Sequence, residues 1–405
     1  MSRELMPVSN AIATMLKQVP ALIEQQEVPL MQALDRVLAA DILSQLQVPA
    51  FDNSAMDGYA LRFADTQTTE ILPIAGKALA GHAFEQPIAA GHCVRITTGA
   101  VLPEGLDTVV MQEQVELTEQ GIRLTAAISP GDHVRRAGED IAIGQRVLSK
   151  GQRLQTVDLG LLASLGIGRV PVYRRIKAAV FSTGDELIPP GEVLPAGHIY
   201  DSNRYVIQAM LQRLGVEVID LGLLPDNPDA IRQAIVTARQ QADVLISSAG
   251  VSVGEADYTR QLLNELGQIN FWKVAMKPGK PFAFGSLGGC YFFGLPGNPV
   301  AAVATLDLLV QPVLRQLAGE KPTKSAELTA IATETMKKSP GRADFQRGFY
   351  QQQQGQLQVR PVGRQSSAVL SGVGAANCYI ALEQERAAVA VGEMVTILPF
   401  TQMLR

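Results

Sequence analysis

The chain has 405 residues, a formal net charge of −4 and a hydrophobic fraction of 47%. At roughly 150 residues per domain this length predicts several domains, and the apolar content excludes a largely disordered chain. The slightly acidic balance argues against a nucleic-acid partner. The 3 cysteines and 4 histidines argue against a disulfide framework or a zinc site.

The cysteines form no C-x-x-C pair, so we expect them to be reduced thiols. The first residues, MSRELMPVSN, lack the basic segment and apolar run of a signal peptide. No segment approaches the 18 uninterrupted apolar residues typical of a membrane span. We therefore predict a soluble cytoplasmic protein with no membrane-spanning helix.

The first half of the chain changes its hydrophobic period twice. Apolar residues at helical spacing predict helices over 9–19 and 28–41. Short apolar runs separated by turn clusters predict a β-rich inserted domain over 45–142. The run TVDLGLLASLG within 143–171 predicts one helix that leads out of this insert.

From about 172 to 320 predicted strands alternate with predicted helices. The strands are KAAVFS, VEVIDLG, DVLISSAG and CYFFGLPGNP. Ser202 and Asn227 are expected to cap helices, and Asn298-Pro299 to begin a long helix that ends near 318. This alternation is typical of an open, mostly parallel sheet with helices on both faces.

Residues 323–405 alternate with period two, which predicts a small β-barrel-like domain with a solvated hairpin tip at Gln351–Gln354. The fold class is therefore α/β multidomain. The predicted domains are an α/β domain (1–20 plus 172–322), a linking domain (21–44 plus 143–171), the β-rich insert (45–142) and the C-terminal β domain (323–405).

Several enzyme classes lack their motif. GVSVG (250–254) matches the nucleophile elbow G-x-S-x-G, but an α/β-hydrolase needs its histidine after the serine, and the last histidine is His198. Neither a Walker G-x-x-x-x-G-K-[ST] nor a G-x-G-x-x-G after a strand is present. The chemistry must therefore depend on carboxylates, lysines and backbone amides.

Three loops that follow predicted strands carry acids. STGDEL contains Asp185 and Glu186, LLPDNPD contains Asp226, and SSAGVSVGEAD contains Glu255 and Asp257. Ligands bind at the carboxyl ends of strands in open α/β sheets, so we expect these acids to meet at one edge. The alternative for Asp226 is that it only caps the following helix.

The same half of the chain contains groups suited to anions. The small residues of SSAGVSVG allow backbone amides to approach a phosphate. The segment WKVAMKPGKPFAFG contains Lys273, Lys277 and Lys280 beside Gly-Pro turns, and GLPGNP follows the next strand. We favour anion binding by these lysines over a solvated basic loop.

A second group of polar residues lies in the β-rich insert. PAFDNSAMDGYA carries Asp52 and Asp57, and RITTGAVLP carries Thr97 and Thr98. HVRRAGEDI adds four charged residues: Arg135, Arg136, Glu139 and Asp140. Acids and arginines in separate loops suit an oxyanion held with a divalent cation. Taken singly, each loop is more often a turn than a site.

Eight strings occur in the order FDNSAMDGYA, RITTGA, GEDI, FSTGDEL, IYDSNR, SSAGVSVGEADY, KPGKPFAFG and LPGNPVA. In this order they closely resemble the MoeA-type molybdopterin molybdenumtransferase family, which includes the E domain of gephyrin. The resemblance spans roughly residues 8–400. It implies molybdenum cofactor biosynthesis: molybdate and adenylylated molybdopterin are the substrates, Mg²⁺ is the cofactor, and AMP is released.

The resemblance also implies a homodimer whose cleft lies between the α/β domain of one subunit and the insert of the other. Contacts with the molybdopterin adenylyltransferase and with acceptor molybdoenzymes are implied partners. The expected catalytic residues are Asp57, Asp140, Glu186, Asp226, Asp257, Lys273 and Lys277, of which Glu186, Asp226 and Asp257 are also metal ligands. The expected substrate-binding residues are Thr98, Arg135, Ser247, Ser248, Gly250, Ser252, Gly254, Lys280, Pro296, Pro299, Ser366 and Ser367.

The sequence departs from residues found in relatives at three positions. Ala249 replaces a glycine of the common string SSGGVSVG, Ala137 stands where some relatives have a third arginine, and Gln365 stands where a relative has a glycine. Two other functions stay open as alternatives. One is a scaffold that binds molybdopterin without chemistry, and the other is a pyrophosphatase-like hydrolase on the same α/β domain.

Overall fold

The computed structural model describes residues 5–248, 258–322 and 326–405. Two compact units are present. One comprises Met1–Glu27, Asp35–Ala39 and Pro171–Arg405, and the other comprises Val28–Leu34 and Ala40–Val170. The finer division into four domains stays a prediction.

The α-helices are α1 (Val8–Gln18), α2 (Thr156–Ser164), α3 (Asn203–Arg213), α4 (Pro228–Gln241), α5 (Tyr258–Leu266), α6 (Pro299–Thr305), α7 (Gln311–Leu317) and α8 (Ser371–Gly374). A π-helical segment, Leu306–Val310, joins α6 to α7. Short 3₁₀ helices occupy Leu30–Ala33, Phe63–Gln67 and Gln112–Gln114.

The first strands are β1 (Gln25–Pro29), β2 (Ile42–Leu43), β3 (Asn53–Ser54), β4 (Gly58–Leu61), β5 (Ile71–Leu72), β6 (Ile74–Ala78), β7 (Cys93–Ile96), β8 (Thr108–Met111), β9 (Val115–Thr118), β10 (Gly121–Leu124), β11 (Val134–Arg135), β12 (Arg146–Leu148) and β13 (Arg169–Tyr173). The strands of the α/β region are β14 (Lys177–Thr183), β15 (Leu187–Ile188), β16 (Ile199–Tyr200), β17 (Glu217–Leu224), β18 (Val244–Ser248), β19 (Gln268–Lys273), β20 (Met276–Lys277), β21 (Pro281–Ser286) and β22 (Tyr291–Leu295). The last strands are β23 (Leu328–Ala332), β24 (Ala343–Gln353), β25 (Gln356–Pro361), β26 (Cys378–Leu382) and β27 (Met394–Pro399).

The smaller unit contains the predicted β-rich insert. Its four-stranded sheet has the order β6-β7-β4-β8, and a three-stranded sheet has the order β5-β10-β9. Strands β7, β8 and β10 cover CVRIT, DTVVM and GIRLT, which are among the short apolar runs that predicted a β-rich insert. The two faces of β4 pack into different cores, since Ala60 belongs to one cluster of buried apolar residues and Tyr59 to another.

The predicted helix over 28–41 is wrong, whereas those over 9–19 and TVDLGLLASLG are confirmed as α1 and α2. Pro29 is extended, a single 3₁₀ turn follows it, and Asp35 has a φ of 60°. The backbone of the following residues pairs with a distant segment, because Ala39 N–H donates to the Pro171 carbonyl at 2.9 Å. The apolar residues of 28–41 therefore have helical spacing in the sequence although the backbone forms a turn followed by an extended segment.

A six-stranded sheet with the order β17-β14-β18-β22-β21-β19 forms the centre of the larger unit. Strands β17, β14, β18 and β22 are parallel, as predicted, and β21 and β19 are antiparallel additions at one edge. Apolar clusters cover both faces: Val180 packs with residues of α1, α3 and α6, and Phe181 packs with residues of α4 and α5. The predicted open sheet with helices on both faces is confirmed.

The two predicted helix caps have different outcomes. Asn227 caps α4 as predicted, because its Oδ1 accepts from the Asp229 backbone N–H at 2.8 Å. Within the described residues, the Ser202 side chain makes no capping bond, so this prediction is wrong. The preceding residue caps α3 instead, because Asp201 Oδ1 accepts a hydrogen bond from the Arg204 backbone N–H at 3.2 Å.

The C-terminal strands form a closed barrel, as predicted. The order β24-β25-β23-β27-β26 is closed by pairing between β26 and β24, and Ile380, Val395 and Ile397 fill its interior. Strands β24 and β25 form a hairpin whose turn contains Gln354 and Gly355, both at positive φ. Closure removes free sheet edges, which limits pairing with other chains.

The long helix that begins at Pro299 ends at Leu317, close to the predicted end. By length and composition alone, Pro299–Leu317 could cross a membrane. However, 78% of that segment is buried inside the protein. Its apolar side chains pack in the core of the larger unit, as expected for a central helix of an α/β sheet.

Candidate active site

The parallel strands of the central sheet end at a common edge. In the register of the sheet, Thr183 at the end of β14 lies beside Leu224 of β17, and Ser248 of β18 lies beside Leu295 of β22. The loops after these strands therefore share one side of the sheet, where ligands bind in this class of fold. Two of the three acid-bearing loops, those of Glu186 and Asp226, follow β14 and β17 at this edge, as expected.

A cavity of about 1000 Å³ opens at this edge and extends to the C-terminal barrel region. Eight of the predicted site residues line it: Glu186, Ser248, Lys277, Lys280, Pro296, Pro299, Ser366 and Ser367. The residues come from loops far apart in sequence, so the fold brings several of the predicted groups to one place. This volume is at the upper end for small-molecule sites, which suits a substrate with more than one anionic part.

The cavity wall carries three cationic side chains: Lys277, Lys280 and Arg342. Lys277 Nζ lies 3.1 Å from Asp344 Oδ2, and Asp344 is almost fully buried, with 5% of its side chain exposed. The Lys277 side chain is 43% exposed, so this ion pair fixes the ammonium group while leaving it accessible. Three cations against few lining acids favour an anionic ligand.

The acids at the strand ends contact one another's loops. The buried Thr183 hydroxyl donates to Asp226 Oδ1, and the Asp226 backbone N–H donates to Asp185 Oδ1 at 3.3 Å. Asp226 thus does not cap α4, a role taken by Asn227. Among the described residues no group of three or more His, Cys, Asp or Glu is arranged to hold a metal ion. Glu186 and Asp226 both carry carboxylate oxygens, the type of donor that Mg²⁺ prefers.

Some predicted residues are not on the cavity wall or cannot be placed. Asp226, Ser247 and Lys273 do not belong to the lining within the part of the chain that the structure describes. Lys273 is exposed at the end of β19, and its carbonyl accepts from the Met6 N–H at 2.9 Å. Gly250, Ser252, Gly254, Asp257 and the substituted position Ala249 lie outside the described residues. Their roles stay predictions.

The insert brings two predicted residues into direct contact. Asp57 Oδ1 accepts from the Thr98 backbone N–H at 2.7 Å and from the Thr98 hydroxyl at 2.9 Å. These bonds, with a smaller effect of the Arg95 guanidinium, hold the pKa of the exposed Asp57 carboxyl below its usual range. Asp57 is therefore a fixed, ionised carboxylate on an open surface.

The other predicted residues of the insert lie on neighbouring segments. Arg135 is exposed in β11 and pairs with Asn53 of β3. Asp140 is exposed, and its backbone N–H donates to the Val48 carbonyl at 3.0 Å. Nearby, Asp52 is occupied by structural contacts, since it accepts from Arg136 at 2.6 Å and from the Ala137 N–H at 2.8 Å.

Sequence reasoning missed Asn203 and Arg342 among the lining residues. Asn203 is buried, with 9% exposed, and its Nδ2 donates to Ser248 Oγ at 2.8 Å and to the Gly297 carbonyl at 2.7 Å. It thereby joins α3 to two loops of the cavity. The string IYDSNR pointed to this segment without a role for its asparagine, and no sequence pattern marked Arg342.

The cysteines take no part in this chemistry. Cys93, Cys290 and Cys378 are buried and free. Burial raises the pKa of each thiol to about 12, so none is a thiolate near neutral pH. Free thiols agree with the expectation of reduced cysteines.

Comparison with known protein families accounts for almost the whole chain. The model described as "MoeA N-terminal region (domain I and II)" matches residues 6–166. A "Probable molybdopterin binding domain" matches residues 179–316, and the "MoeA C-terminal region (domain IV)" matches residues 329–400. The cavity residues fall within the second and third of these regions, and the Asp57–Thr98 pair falls within the first.

Individual relatives are similar to this chain over almost their full length. A molybdopterin molybdenumtransferase of Haemophilus influenzae is 49% identical over 403 residues, which covers 99% of this chain and 100% of the relative. Molybdopterin molybdenumtransferase 2 of Mycobacterium tuberculosis is 35% identical over 393 residues, covering 92% and 95%. The crystal structure of the molybdopterin biosynthesis moeA protein from Pyrococcus horikoshii superimposes with a TM-score of 0.86 at 28% identity, covering 98% of this chain and 100% of that one. This chain therefore belongs to the MoeA family of molybdopterin molybdenumtransferases, enzymes of molybdenum cofactor biosynthesis.

Proposed function

We propose that this protein transfers molybdenum from molybdate to adenylylated molybdopterin, with release of AMP in a Mg²⁺-dependent reaction. The observation that carries the proposal is the cavity at the carboxyl edge of the sheet. Its three cations and the hydroxyl groups of Ser248, Ser366 and Ser367 suit two anionic parts, a tetrahedral oxyanion and a phosphate group. Both substrates carry such groups.

In this reaction a molybdate oxygen forms a bond to the adenylyl phosphorus while the P–O bond to the molybdopterin phosphate breaks, and negative charge develops on the phosphate oxygens. AMP leaves with the molybdate oxygen, the molybdopterin phosphate keeps the bridging oxygen, and the molybdenum binds the two dithiolate sulfurs in place of the oxygen it lost. Lys277 stabilises that charge from its fixed position beside Asp344, and Lys280 and Arg342 bind the incoming molybdate. Lys273, more remote and exposed, attracts the anionic substrate toward the site. Pro296 and Pro299 keep the loop between them in one conformation.

Glu186, Asp226 and Asp257 are the residues that would hold Mg²⁺. The first two fit by donor chemistry and by their position after adjacent parallel strands, because the loops of Asp185 and Asp226 are in contact. When bound, Mg²⁺ neutralises charge on the phosphate groups. The segment SSAGVSVG, with Ser247, Gly250, Ser252 and Gly254, is proposed to bind the phosphates through its amides.

The insert is proposed to complete the site in a homodimer. Asp57, Thr98, Arg135 and Asp140 of one subunit would position the pterin dithiolate or molybdate at the cavity of the other. The smaller unit has exposed apolar side chains at Leu43, Leu46 and Ile143, on segments joined by the Ser44–Gln145 backbone bond, and these support an interface. We also propose a cytoplasmic reaction and direct contact with the adenylyltransferase that supplies the substrate and with acceptor molybdoenzymes.

A single-turnover assay tests the proposed function. Enzyme in excess over adenylylated molybdopterin is mixed with Mg²⁺, with and without molybdate, and both AMP and molybdenum bound to molybdopterin are quantified. We expect AMP release and metal incorporation to rise together with molybdate, and chelation of Mg²⁺ to suppress both.

The alternatives give different results in the same assay. AMP release without molybdate and without a metal product would identify a pyrophosphatase-like hydrolase. Tight binding of the substrate with no AMP release would identify a scaffold. Either result would contradict the proposed transfer.

A further inference from the structure

The side chain of Asn203, the first residue of α3, joins three segments of the cavity wall. Its Nδ2 donates to Ser248 Oγ, at the end of β18, at 2.8 Å. It also donates to the carbonyl of Gly297, in the loop between β22 and α6, at 2.7 Å. All three residues line the cavity, and the side chains of Asn203 and Ser248 are buried in its wall. One buried amide therefore sets the positions of a hydroxyl group and of a loop.

The Gly297 carbonyl fixes the direction in which the Asn203 amide faces. A carbonyl oxygen can only accept a hydrogen bond, so the amide nitrogen, and not the amide oxygen, must face it. The same nitrogen then also faces Ser248 Oγ. A reversed amide would bring Oδ1 against the Gly297 carbonyl, with two acceptors in contact. Within the described residues Oδ1 has no hydrogen-bond partner, so no bond there favours the reversed orientation.

This orientation determines where the hydroxyl hydrogen of Ser248 can point. A serine hydroxyl donates one hydrogen bond and can accept two, and here Oγ accepts from Asn203. Among the side-chain hydrogen bonds of the described residues, Ser248 Oγ takes part only in this one, so its own hydrogen is directed to a different group. Ser248 borders the same cavity as the cations Lys277 and Lys280. Its hydrogen is therefore available to an anion that these cations attract.

We propose that Asn203 is a positioning residue that orients the Ser248 hydroxyl to donate a hydrogen bond to a phosphate oxygen of adenylylated molybdopterin. The inference rests on the proposed function, because that function supplies the phosphate groups. Asn203 acts through Ser248, since both hydrogens of its amide are already used by Ser248 and Gly297. Its bond to Gly297 also holds the loop of Pro296 and Pro299 beside the same hydroxyl.

A double-mutant cycle on substrate binding tests the inference. Wild type, Asn203→Leu, Ser248→Ala and the double variant are titrated with adenylylated molybdopterin in the absence of molybdate, and calorimetry gives each Kd. Each single variant should raise the Kd by about 10- to 100-fold, the range for a hydrogen bond to a charged group. In the Ser248→Ala background, Asn203→Leu should raise the Kd further by no more than about threefold, because only the bond to Gly297 remains to be lost.

Gln311→Met is the matched control. Gln311 is also a buried amide of the larger unit, and its Nε2 donates to Thr401 Oγ1 at 3.2 Å. Within the described part of the chain it is not among the residues that line the cavity. Its loss should therefore change the Kd by less than about twofold. A rise in the Kd of the control as large as that in Asn203→Leu would contradict the proposed role.

Two results of the cycle would overturn the inference: an equal rise in the Kd when Asn203→Leu is made in either background, or a Kd in Ser248→Ala equal to that of wild type. If Asn203→Leu does not fold, the same cycle with Asn203→Ala decides the question, because alanine is the residue best accommodated in a helix. If wild type binds the substrate but releases no AMP when molybdate and Mg²⁺ are added, the proposed function fails, while the cycle still decides the positioning role. Absence of substrate binding to wild type would overturn both.

Discussion

The cavity of the larger unit and the Asp57–Thr98 pair of the smaller unit differ in charge and in construction. The cavity has a volume of about 1000 Å³ and three cations on its wall, and its loops are fixed by buried groups such as Asn203 and Asp344. The pair in the insert is an exposed carboxylate fixed by two bonds from a single threonine. The first region suits binding of anions, and the second offers one negative charge of fixed position. A reaction that needs both cannot be assigned to either region alone.

The largest expected effect comes from removing one acid from each region. Glu186→Ala and Asp57→Ala should each lower kcat for AMP release by about 10²- to 10³-fold, because each removes a preorganised charged group. Single-turnover AMP release measures both. The control is Glu217→Ala, an exposed acid at the opposite end of the same sheet, at the start of β17. Loss of activity in that control, or full activity in either variant, would contradict the roles proposed for these acids.

A smaller loss is expected when one cation of the cavity is removed. Lys277→Met should lower the molybdate-dependent rate by roughly 10- to 100-fold, because a charge aligned with the substrate is lost. The same change in the exposed Lys337 of the barrel region is the matched control. A Lys277→Met enzyme with wild-type kcat/KM would show that the cavity cations do not stabilise the reacting phosphate.

In the insert, Thr98→Val removes the hydroxyl bond to Asp57 and leaves the 2.7 Å backbone bond in place. We expect kcat/KM to fall by about 3- to 10-fold, the net value of one typical hydrogen bond. The pKa of Asp57 is held below its usual range, so the carboxylate persists as pH falls and is lost only below that range. In Thr98→Val this pKa should rise toward its ordinary value.

The acid limb of the pH profile of kcat/KM measures this shift. In Thr98→Val it should move to higher pH relative to wild type. Thr97→Val serves as the control, because the Thr97 hydroxyl accepts a hydrogen bond from the Ala80 N–H at 3.2 Å and, among the hydrogen bonds of the described residues, makes none to Asp57. An unchanged acid limb in Thr98→Val would mean that the charge of Asp57 does not control the rate.

The smallest effect on activity is expected from Asp307→Asn, which lies in neither region. Burial raises the pKa of Asp307 from 3.8 to about 6, and the Thr401 hydroxyl donates to its Oδ1 at 3.0 Å. Because the pKa of Asp307 is higher in the folded than in the unfolded protein, ionisation of this group lowers the free energy of unfolding. The loss develops as pH rises from about 4 to 6 and reaches up to roughly 3 kcal/mol at higher pH.

Asp307→Asn should therefore increase the free energy of unfolding at pH 8 and change it little at pH 4. Urea unfolding at the two pH values measures this difference, and turnover at pH 8 should stay within about twofold of wild type. A stabilisation of equal size at both pH values would show that ionisation of Asp307 is not its cause. A large loss of turnover would show that the core of this unit is coupled to the cavity.

The helices, strands and caps that could be predicted are those whose sequence pattern lies within a few consecutive residues. Strands such as KAAVFS, the Asn227-Pro228 cap and the alternating C-terminal strands depend on neighbours within a few residues. The helix over 28–41 failed because Ala39 pairs with Pro171, a partner that no short window contains. The antiparallel strands β19 and β21, which pair with each other at the edge of the central sheet, were also missed.

The residues of the candidate site also fall into those that local motifs located and those that they did not. Motif strings located Glu186, Lys277 and Ser366, which the fold places around one cavity. They did not find the side chains that fix those residues: Asn203 and Asp344 act through long-range bonds to other side chains and to the backbone. Such supporting contacts depend on three-dimensional packing, so they have no signature in local sequence.

The central claim is that the two regions of different subunits form one active site, and a mixed-dimer experiment tests it most directly. Asp57→Ala and Glu186→Ala chains, each expected to be nearly inactive, are unfolded together, refolded at equal concentrations and assayed for molybdate-dependent AMP release. If the regions act across subunits, half of the dimers contain one intact site, and activity should recover to about a quarter of wild type. If the mixture stays as inactive as its components while wild type refolds to full activity, the two regions do not combine across subunits.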